Sequence, residues 1–534
     1  MTINITKNIT AISAVFLIFG LIIYSCGKLY IKQDFRQTYN IHNDSIHQKL
    51  YTQAFFKVHL KNGNVSVLNE WELNESKDSL FGKGKLFDFN RAEIKDGSIA
   101  HEIDEIAIIE TNQLDAIKSK DSDKISGLAI LTGVNLILDI VCITNPKACF
   151  GSCPTFYTNN SLSVHDAKAE GFSSSISPSL ETTDMDALKT STSDESFYLT
   201  MKNEAFETHL INELFLNVVS KKKSEYVFHD KNNLFHKSDQ LYIPKTAQIN
   251  NTSILDLITD EDELEFYSKT NENDLTTKDE IYLEFDNIPS QNIGLTINFR
   301  QTLLTTFLLY NGLSYMGDEV GDYFAKIETN ESIKKRLSHP FSLLGKIKLF
   351  AYDDNKNKWI LFDELYETGP IAKNMMIAPL NNIEPIAGSL KIKIEMTKGL
   401  WKIDYLGLAN IKNTTTGTKI YPNKIEVIEG KDYNINAIKS DDNNYLTSFP
   451  GNEFKYKFKL PELGTHEEHE LFLSSKGYYL EWIRANWLKE KNIKKLEKML
   501  SNDKEVWTSL ALEYKIVEDE MEEVFWNSKY INLQ

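Results

Sequence analysis

Four cysteines in 534 residues cannot build a disulfide-dense scaffold, and 12 prolines with 24 glycines leave no collagen-like or low-complexity chain. Basic residues are also in short supply: 59 Lys and Arg stand against 76 Asp and Glu, a net charge of −17. A chain that acidic offers no broad cationic face for phosphates, so nucleic acid is not an expected partner. No G-x-S-x-G, Walker or Rossmann pattern occurs, and no catalytic residue, resident metal or cofactor is assigned. What is present is a chain 41% hydrophobic and 11% aromatic, which excludes disorder. Its length predicts about three domains.

The amino terminus carries an address. Lys7 precedes the apolar run 11–24, which Ser25, Cys26 and Gly27 close. A basic residue, a short apolar stretch and a small residue before a cut describe a secretory signal. The cysteine directly after it makes Ile23-Tyr24-Ser25-Cys26 resemble the lipobox of bacterial lipoproteins, with Cys26 as the acylated first mature residue, carrying palmitate or a similar chain. Tyr24 stands where a smaller residue is usual, and an uncleaved signal anchor is the alternative. Removing residues 1–25 deletes one Lys and no acid, so −17 becomes −18. Attachment is therefore expected through acyl chains and not a basic patch. Residues 26–50 are expected to be a tether.

The mature chain is expected to be mainly β with α: a small N-terminal β domain, a large β-sandwich-like region and a helical C-terminal segment. Residues 51–117 alternate as short strands, with Asn62-Gly63 marking a hairpin between Ala54–Leu60 and Val65–Trp71. Residues 118–145 are a linker and an apolar helix. Its run 125–143 could almost span a bilayer, but Asn135 and Asp139 inside it favour packing on protein. Residues 146–476 read as a sandwich region interrupted by one helix from Thr302 to Met316. The polar stretch 220–280 is expected to be an insertion, with Asp260–Glu263 a solvated face. The segment 477–534 is expected to be helical, starting at Gly477-Tyr-Tyr-Leu. Val506, Leu510, Tyr514, Val517, Met521 and Phe525 form its apolar stripe. Its polar face is acidic, so it should pack on protein and not on lipid.

Several clusters carry possible chemistry. Cys149-Phe-Gly-Ser-Cys153 is expected to close a small disulfide loop in an oxidising compartment, with Cys142 left over. Adding His165 gives a conceivable Cys3His zinc set. His466-Glu-Glu-His469 is not a zincin motif and is expected to be a solvated loop. Asp353, Asn355, Asn357 and Glu364 match calcium-loop spacing, but Lys358 stands where glycine belongs and the flanks read as strands. A hairpin turn is therefore expected. Asn203, Glu204 and His209 gather amide, acid and imidazole in what is expected to be a loop between strands, and Arg300 sits where a strand meets a helix. Asn203, Glu204, His209 and Arg300 form the candidate binding loop.

Lys61–Val65, Asn145–Pro154, Asn203–His209, Arg300–Leu304, Glu470–Leu473 with Gly477–Trp482, and Met521–Trp526 together resemble an uncharacterised family of bacterial cell-envelope lipoproteins, frequent in the Bacteroidota. The resemblance covers nearly the whole mature chain. It implies an extracytoplasmic, membrane-anchored address and no activity. The expected role is binding or scaffolding, with the membrane and other envelope proteins as partners. The alternative is an extracytoplasmic hydrolase acting on an envelope or extracellular polymer.

Overall fold

The computed structural model describes residues 32–39, 56–60, 64–73, 79–87, 93–116, 153–158 and 167–526. Short breaks fall at 205–206, 263, 382, 384, 386–387, 428–434, 442–444, 449–451 and 482–489. The signal segment, Cys26, Cys142, Cys149, His165 and the apolar run 125–143 lie outside the described residues. About half the chain is strand (49%) against 21% helix, so the fold is mainly β with α. Among the described residues no helix is long and apolar enough to cross a membrane.

The N-terminal sheet has six antiparallel strands. Phe56–Leu60 and Val65–Leu73 form the hairpin that Asn-Gly announces, closed by Leu60 N–H donating to Asn64 O at 2.9 Å. Val58, Leu60, Leu68, Leu80, Ile99 and Ile106 make its small core. Its edge strand is Lys32–Tyr39, paired with Ile106–Ala116. Part of the expected tether is thus a strand, because the ladder supplies the backbone partners that a free tether lacks.

The remaining sheets stack in four layers. The first holds Thr155–Tyr157, Ala167–Glu170, Ser196–Lys202 and Glu453–Lys459; the second is centred on Glu207–Lys222 and Glu467–Glu481. Phe156, Leu199, Met201 and Tyr456 face Ile211, Leu214, Leu216 and Val218 between these two. The spacing of three between Ile211 and Leu214 breaks the period of two. A β-bulge between Ile211 and Glu213 absorbs the extra residue and keeps the apolar set on one face. The third layer contains Ile293–Gln301, Asn374–Pro379 and Trp401–Asn410, and its alternate residues serve two cores. Met375 and Ile377 pack toward the second layer with Phe228, Phe235 and Phe472. Met376 and Ala378 pack the other way, toward Ile281, Leu283, Leu349 and Ile392 of the fourth. A strand buried on both faces needs this unbroken apolar run.

Three helices, Leu304–Met316, Val320–Thr329 and Glu331–Leu344, leave the third layer at Gln301. Asn330 caps the last, its Oδ1 accepting from Ser332 N at 3.0 Å and Ile333 N at 3.2 Å. The C-terminal helix Lys504–Trp526 buries all six residues of the expected stripe against the fourth-layer core. Its acids hold protein as well. Glu522 accepts from Leu303 N at 3.1 Å and pairs with Lys402 at 2.8 Å, and Glu518 accepts from Thr270 N at 2.7 Å.

Two expectations are corrected here. Residues 220–280 are not an insertion. They supply short strands to the third and fourth layers and bury Phe228, Phe235, Ile249, Ile258 and Leu275. Gly477–Glu481 is not the start of a helix but the end of the 467–481 strand. Gly477 is required there, because a Cβ would stand 2.3 Å from Leu210 O on the paired strand.

Leu510→Ala should destabilise the chain by about 2–5 kcal/mol, since a fully buried leucine leaves a cavity. Ile516→Ala on the same helix, 66% exposed, should stay within about 0.5 kcal/mol. Urea denaturation of the two variants measures the contrast, and equal shifts would contradict a helix packed on protein.

Candidate functional site

The candidate residues named from sequence do not form one site. Asn203 is fully buried, its Nδ2 donating to Glu207 O at 3.0 Å and Ser448 O at 3.1 Å. Glu204 accepts from Tyr157 Oη at 2.9 Å. His209 donates from Nε2 to Glu207 Oε2 at 3.0 Å, and desolvation holds its imidazole down at about 3, so it is neutral. Asn203 and Glu204 lie in the connection between the 196–202 and 207–222 strands, as expected, and His209 lies in the second strand, but all three are interior and not solvated, because those strands bring their backbone into the first two layers. Arg300 is held elsewhere. Its Nε donates to Glu265 Oε1 at 2.6 Å, its Nη2 to Glu265 Oε2, and its Nη1 to Pro370 O at 2.8 Å. That ion pair pulls the Glu265 carboxyl below its usual range despite burial. It is the buried bidentate arrangement expected of arginine with a carboxylate.

Other motifs resolve in the same way. His466 is in a turn and His469 is fully buried in a strand, with Nε2 donating to Pro461 O at 3.0 Å, so the pair is not a solvated loop. Asp353 to Lys358 is a hairpin turn between Ile347–Asp353 and Lys358–Leu365, as expected, with Asn357 at φ +49°. Among the described residues no three His, Cys, Asp or Glu are grouped as metal ligands. Cys153 is a free, buried thiol; its expected partner Cys149 lies outside the described residues. Burial, helped by Glu207 and Glu170, pushes the Cys153 thiol well up, which favours its protonated form.

A cavity of about 460 Å³ opens between the helices and the first two layers. Leu309, Leu337 and Phe341 line it from the helices, and Ile176, Leu180 and Tyr479 from the sheet side. Lys334 ties the rim together by donating from Nζ to Ser179 O at 2.5 Å. Cys153, Glu170, Glu207 and Gln301 also line the wall.

Glu170 is the outermost member of a buried carboxyl cluster that sequence reasoning missed. Its side chain accepts from Ile371 N at 2.8 Å and lies against Gly369, where a Cβ would stand 2.3 Å from Oε2. Gly369, at φ +89°, lets the 368–371 loop close over the carboxyl. Asp184 and Asp186 come from the Thr182–Thr192 strand, and Glu367 from the loop after Lys358–Leu365. Asn374 links the parts, donating to Glu367 Oε2 at 2.6 Å and to Met185 O at 3.0 Å, and accepting from Ala187 N at 3.0 Å. Desolvation pushes Glu170 and Glu367 each up to about 8 and Asp184 up to about 6, and the acids reinforce one another. Asp186 is raised further by burial beside the other three. The one sequence signal was Asp184 and Asp186 at a spacing of two, which places both on one strand face.

Two predictions separate these arrangements. Arg300→Ala strands the buried Glu265 carboxylate and should cost about 3–5 kcal/mol, whereas Arg300→Ala with Glu265→Ala should recover part of it. Denaturant titration of the cycle tests this, and a single-mutant cost under about 1 kcal/mol would refute a buried pair. Because the cluster's folded carboxyls bind protons more tightly than the unfolded chain, their stabilisation is complete near about pH 4 and is lost as pH rises toward about 8. The denaturation midpoint should therefore fall across that window, by at most about 1.4 kcal/mol per pH unit for each carboxyl, and Glu170→Gln should flatten the fall.

No family model matches the chain, and no curated protein matches it. Among solved structures, the secreted serine protease VesC from Vibrio cholerae aligns over 70% of this chain and 76% of its own, at 8% identity and a TM-score of 0.13. A likeness that weak carries no argument about fold or activity.

Proposed function

We propose that the chain is a lipid-anchored cell-envelope protein that binds a small, largely apolar molecule in the cavity between its helices and its outer sheets. The observation that carries this is the cavity itself. About 460 Å³ falls within the size range of small-molecule sites, and its exposed surface is mostly apolar, with Ser, Thr, Glu and Gln side chains set into it. Binding is also favoured over hydrolysis by the partners of the candidate residues. Glu204, His209 and Arg300 are each held by a neighbouring side chain, while acid–base chemistry on a polymer needs such groups converging on an open groove. The anchor rests on the sequence: one short apolar run after Lys7, ending on Ser25-Cys26.

Leu309 and Leu337 both line the cavity from the helices, half-buried, so a larger side chain at either fills it without entering a packed core. The wild-type chain should enhance the fluorescence of a neutral apolar dye such as Nile red, and Leu309→Trp should abolish most of that signal at an unchanged denaturation midpoint. Equal dye binding by the variant would remove the cavity as the site. For the anchor, metabolic labelling with an acyl precursor should tag the wild-type chain and leave Cys26→Ala unlabelled. Undiminished labelling of the variant would refute acylation at Cys26.

A further inference from the structure

Glu170, Asp184, Asp186 and Glu367 form an unusual group in this molecule. Three other acids of the interior meet cations, Glu265 with Arg300, Glu522 with Lys402 and Asp404 with Lys373 at 3.2 Å, while Glu204 and Glu207 meet Tyr157 and His209. Among the described residues no Lys, Arg or His pairs with any of the four cluster acids. Their partners are neutral: Ile371 N for Glu170, Asn374 and Thr368 N for Glu367, and Met185 N for Asp184. The second Oδ of Asp184 and that of Asp186 have no hydrogen-bond partner, although Asp186 is only 3% exposed. Burial, reinforced by Asp184, Glu367 and Glu170, pushes the Asp186 carboxyl up.

The group adjoins the cavity through Glu170. The other acids of the cavity wall are already engaged. Glu207 accepts from His209 Nε2 at 3.0 Å, and Glu181 accepts from Asn212 at 3.2 Å and from Tyr445. The one lysine in the wall, Lys334, is held by the Ser179 carbonyl. A ligand entering this space therefore meets a mainly apolar surface set with neutral hydroxyls such as Ser173 and Thr305 and, at Glu170, a carboxyl backed by three more with no counter-charge. A metal ion is not favoured, because the described residues do not bring three such ligands to one point.

We propose that the ligand of this cavity carries a protonated amine on an apolar chain, and that the amine seats against Glu170 and supplies the cation the carboxyl cluster lacks. The proposal rests on the cavity being a ligand site and adds the chemistry of the ligand's polar end. An ammonium group donates to a carboxylate in a charge-assisted bond, which is strongest where water is excluded. With the cavity empty, burial keeps Glu170 protonated near neutral pH. Binding then proceeds as an exchange. The Glu170 carboxyl loses its proton to solvent, the ammonium keeps its own, and the pair is neutral in sum. Asp184, Asp186, Glu367 and Glu207 add negative potential from behind, and Lys334 opposes it from the helix wall.

The test uses the full chain and three probes of equal chain length: decylamine, decanol and decanoate, each displacing Nile red at neutral pH. The amine should bind about tenfold or more tighter than the alcohol, with the carboxylate weakest. Calorimetry in buffers of different ionisation enthalpy should show proton release with the amine and none with the alcohol. Glu170→Gln should remove the amine's advantage over the alcohol together with the proton release, and far-UV circular dichroism checks that the variant is folded. If that variant does not fold, the wild-type ranking and the proton release still decide the matter. Decanol or decanoate binding as well as decylamine would overturn the amine while leaving a ligand cavity in place. Failure of all three to displace the dye would overturn both.

Discussion

The structure depends on one pairing. The Glu207–Lys222 strand runs antiparallel to Glu467–Glu481 along almost its whole length, joining segments some 260 residues apart in register. Both strands are buried on their two faces, so every second residue feeds one core and the alternates feed the next. A slip of one residue would exchange those sets and expose both cores together. The bulge between Ile211 and Glu213 and the missing Cβ at Gly477 fix that register locally. The pair also carries the Thr182–Thr192 strand at its edge, and with it Asp184 and Asp186. The carboxyl cluster is therefore a product of long-range pairing, and it cannot exist before that pairing forms.

Regular alternation made much of the fold legible. The 146–476 region is built of strands, and the Asn-Gly hairpin, the helix expected from Thr302 to Met316 and the C-terminal stripe are present. The misreadings have physical causes. Between 220 and 280 the strands are only two to four residues long up to Ser253, too short for a period to show, and the apolar pairs Val227–Phe228, Leu234–Phe235 and Leu257–Ile258 are set among polar residues. Tyr478, Tyr479 and Leu480 form a continuous apolar run, which fits a buried strand and a buried helix equally well. The helix Glu331–Leu344 fully buries only Pro340 and Leu344.

The candidate site was less legible for a different reason. Asn203, Glu204 and His209 stood out because polar groups crowd a short stretch, yet crowding in sequence is what local structural hydrogen bonding also needs. The acids that matter to the cavity come singly or in twos from three separate segments: Glu170 beside a glycine, Asp184 with Asp186 on a strand, and Glu367 in a loop. No one of these is distinguishable from a surface acid without knowing that the sheets bury it. Burial was the missing variable, and burial is a property of the whole stack.

The contrast between two buried acid sites narrows what that burial means. Glu265 lies under the third layer with Arg300 forked on it, and its carboxyl is held below the usual range. Glu170 is at comparable depth with only backbone amides, and its carboxyl is pushed up to about 8. Depth alone therefore does not explain the cluster, because the same chain neutralises a buried acid with an arginine elsewhere. Leaving four acids without a cation costs stability at neutral pH, since each must either stay protonated or carry charge in a poorly polarisable interior. Folded chains retain such unfavourable groups mainly where a site uses them. The cluster borders the cavity at Glu170, so the uncompensated charge faces a space that an outside group can enter. That coincidence of missing counter-charge and open volume ties the electrostatics of the fold to its proposed ligand.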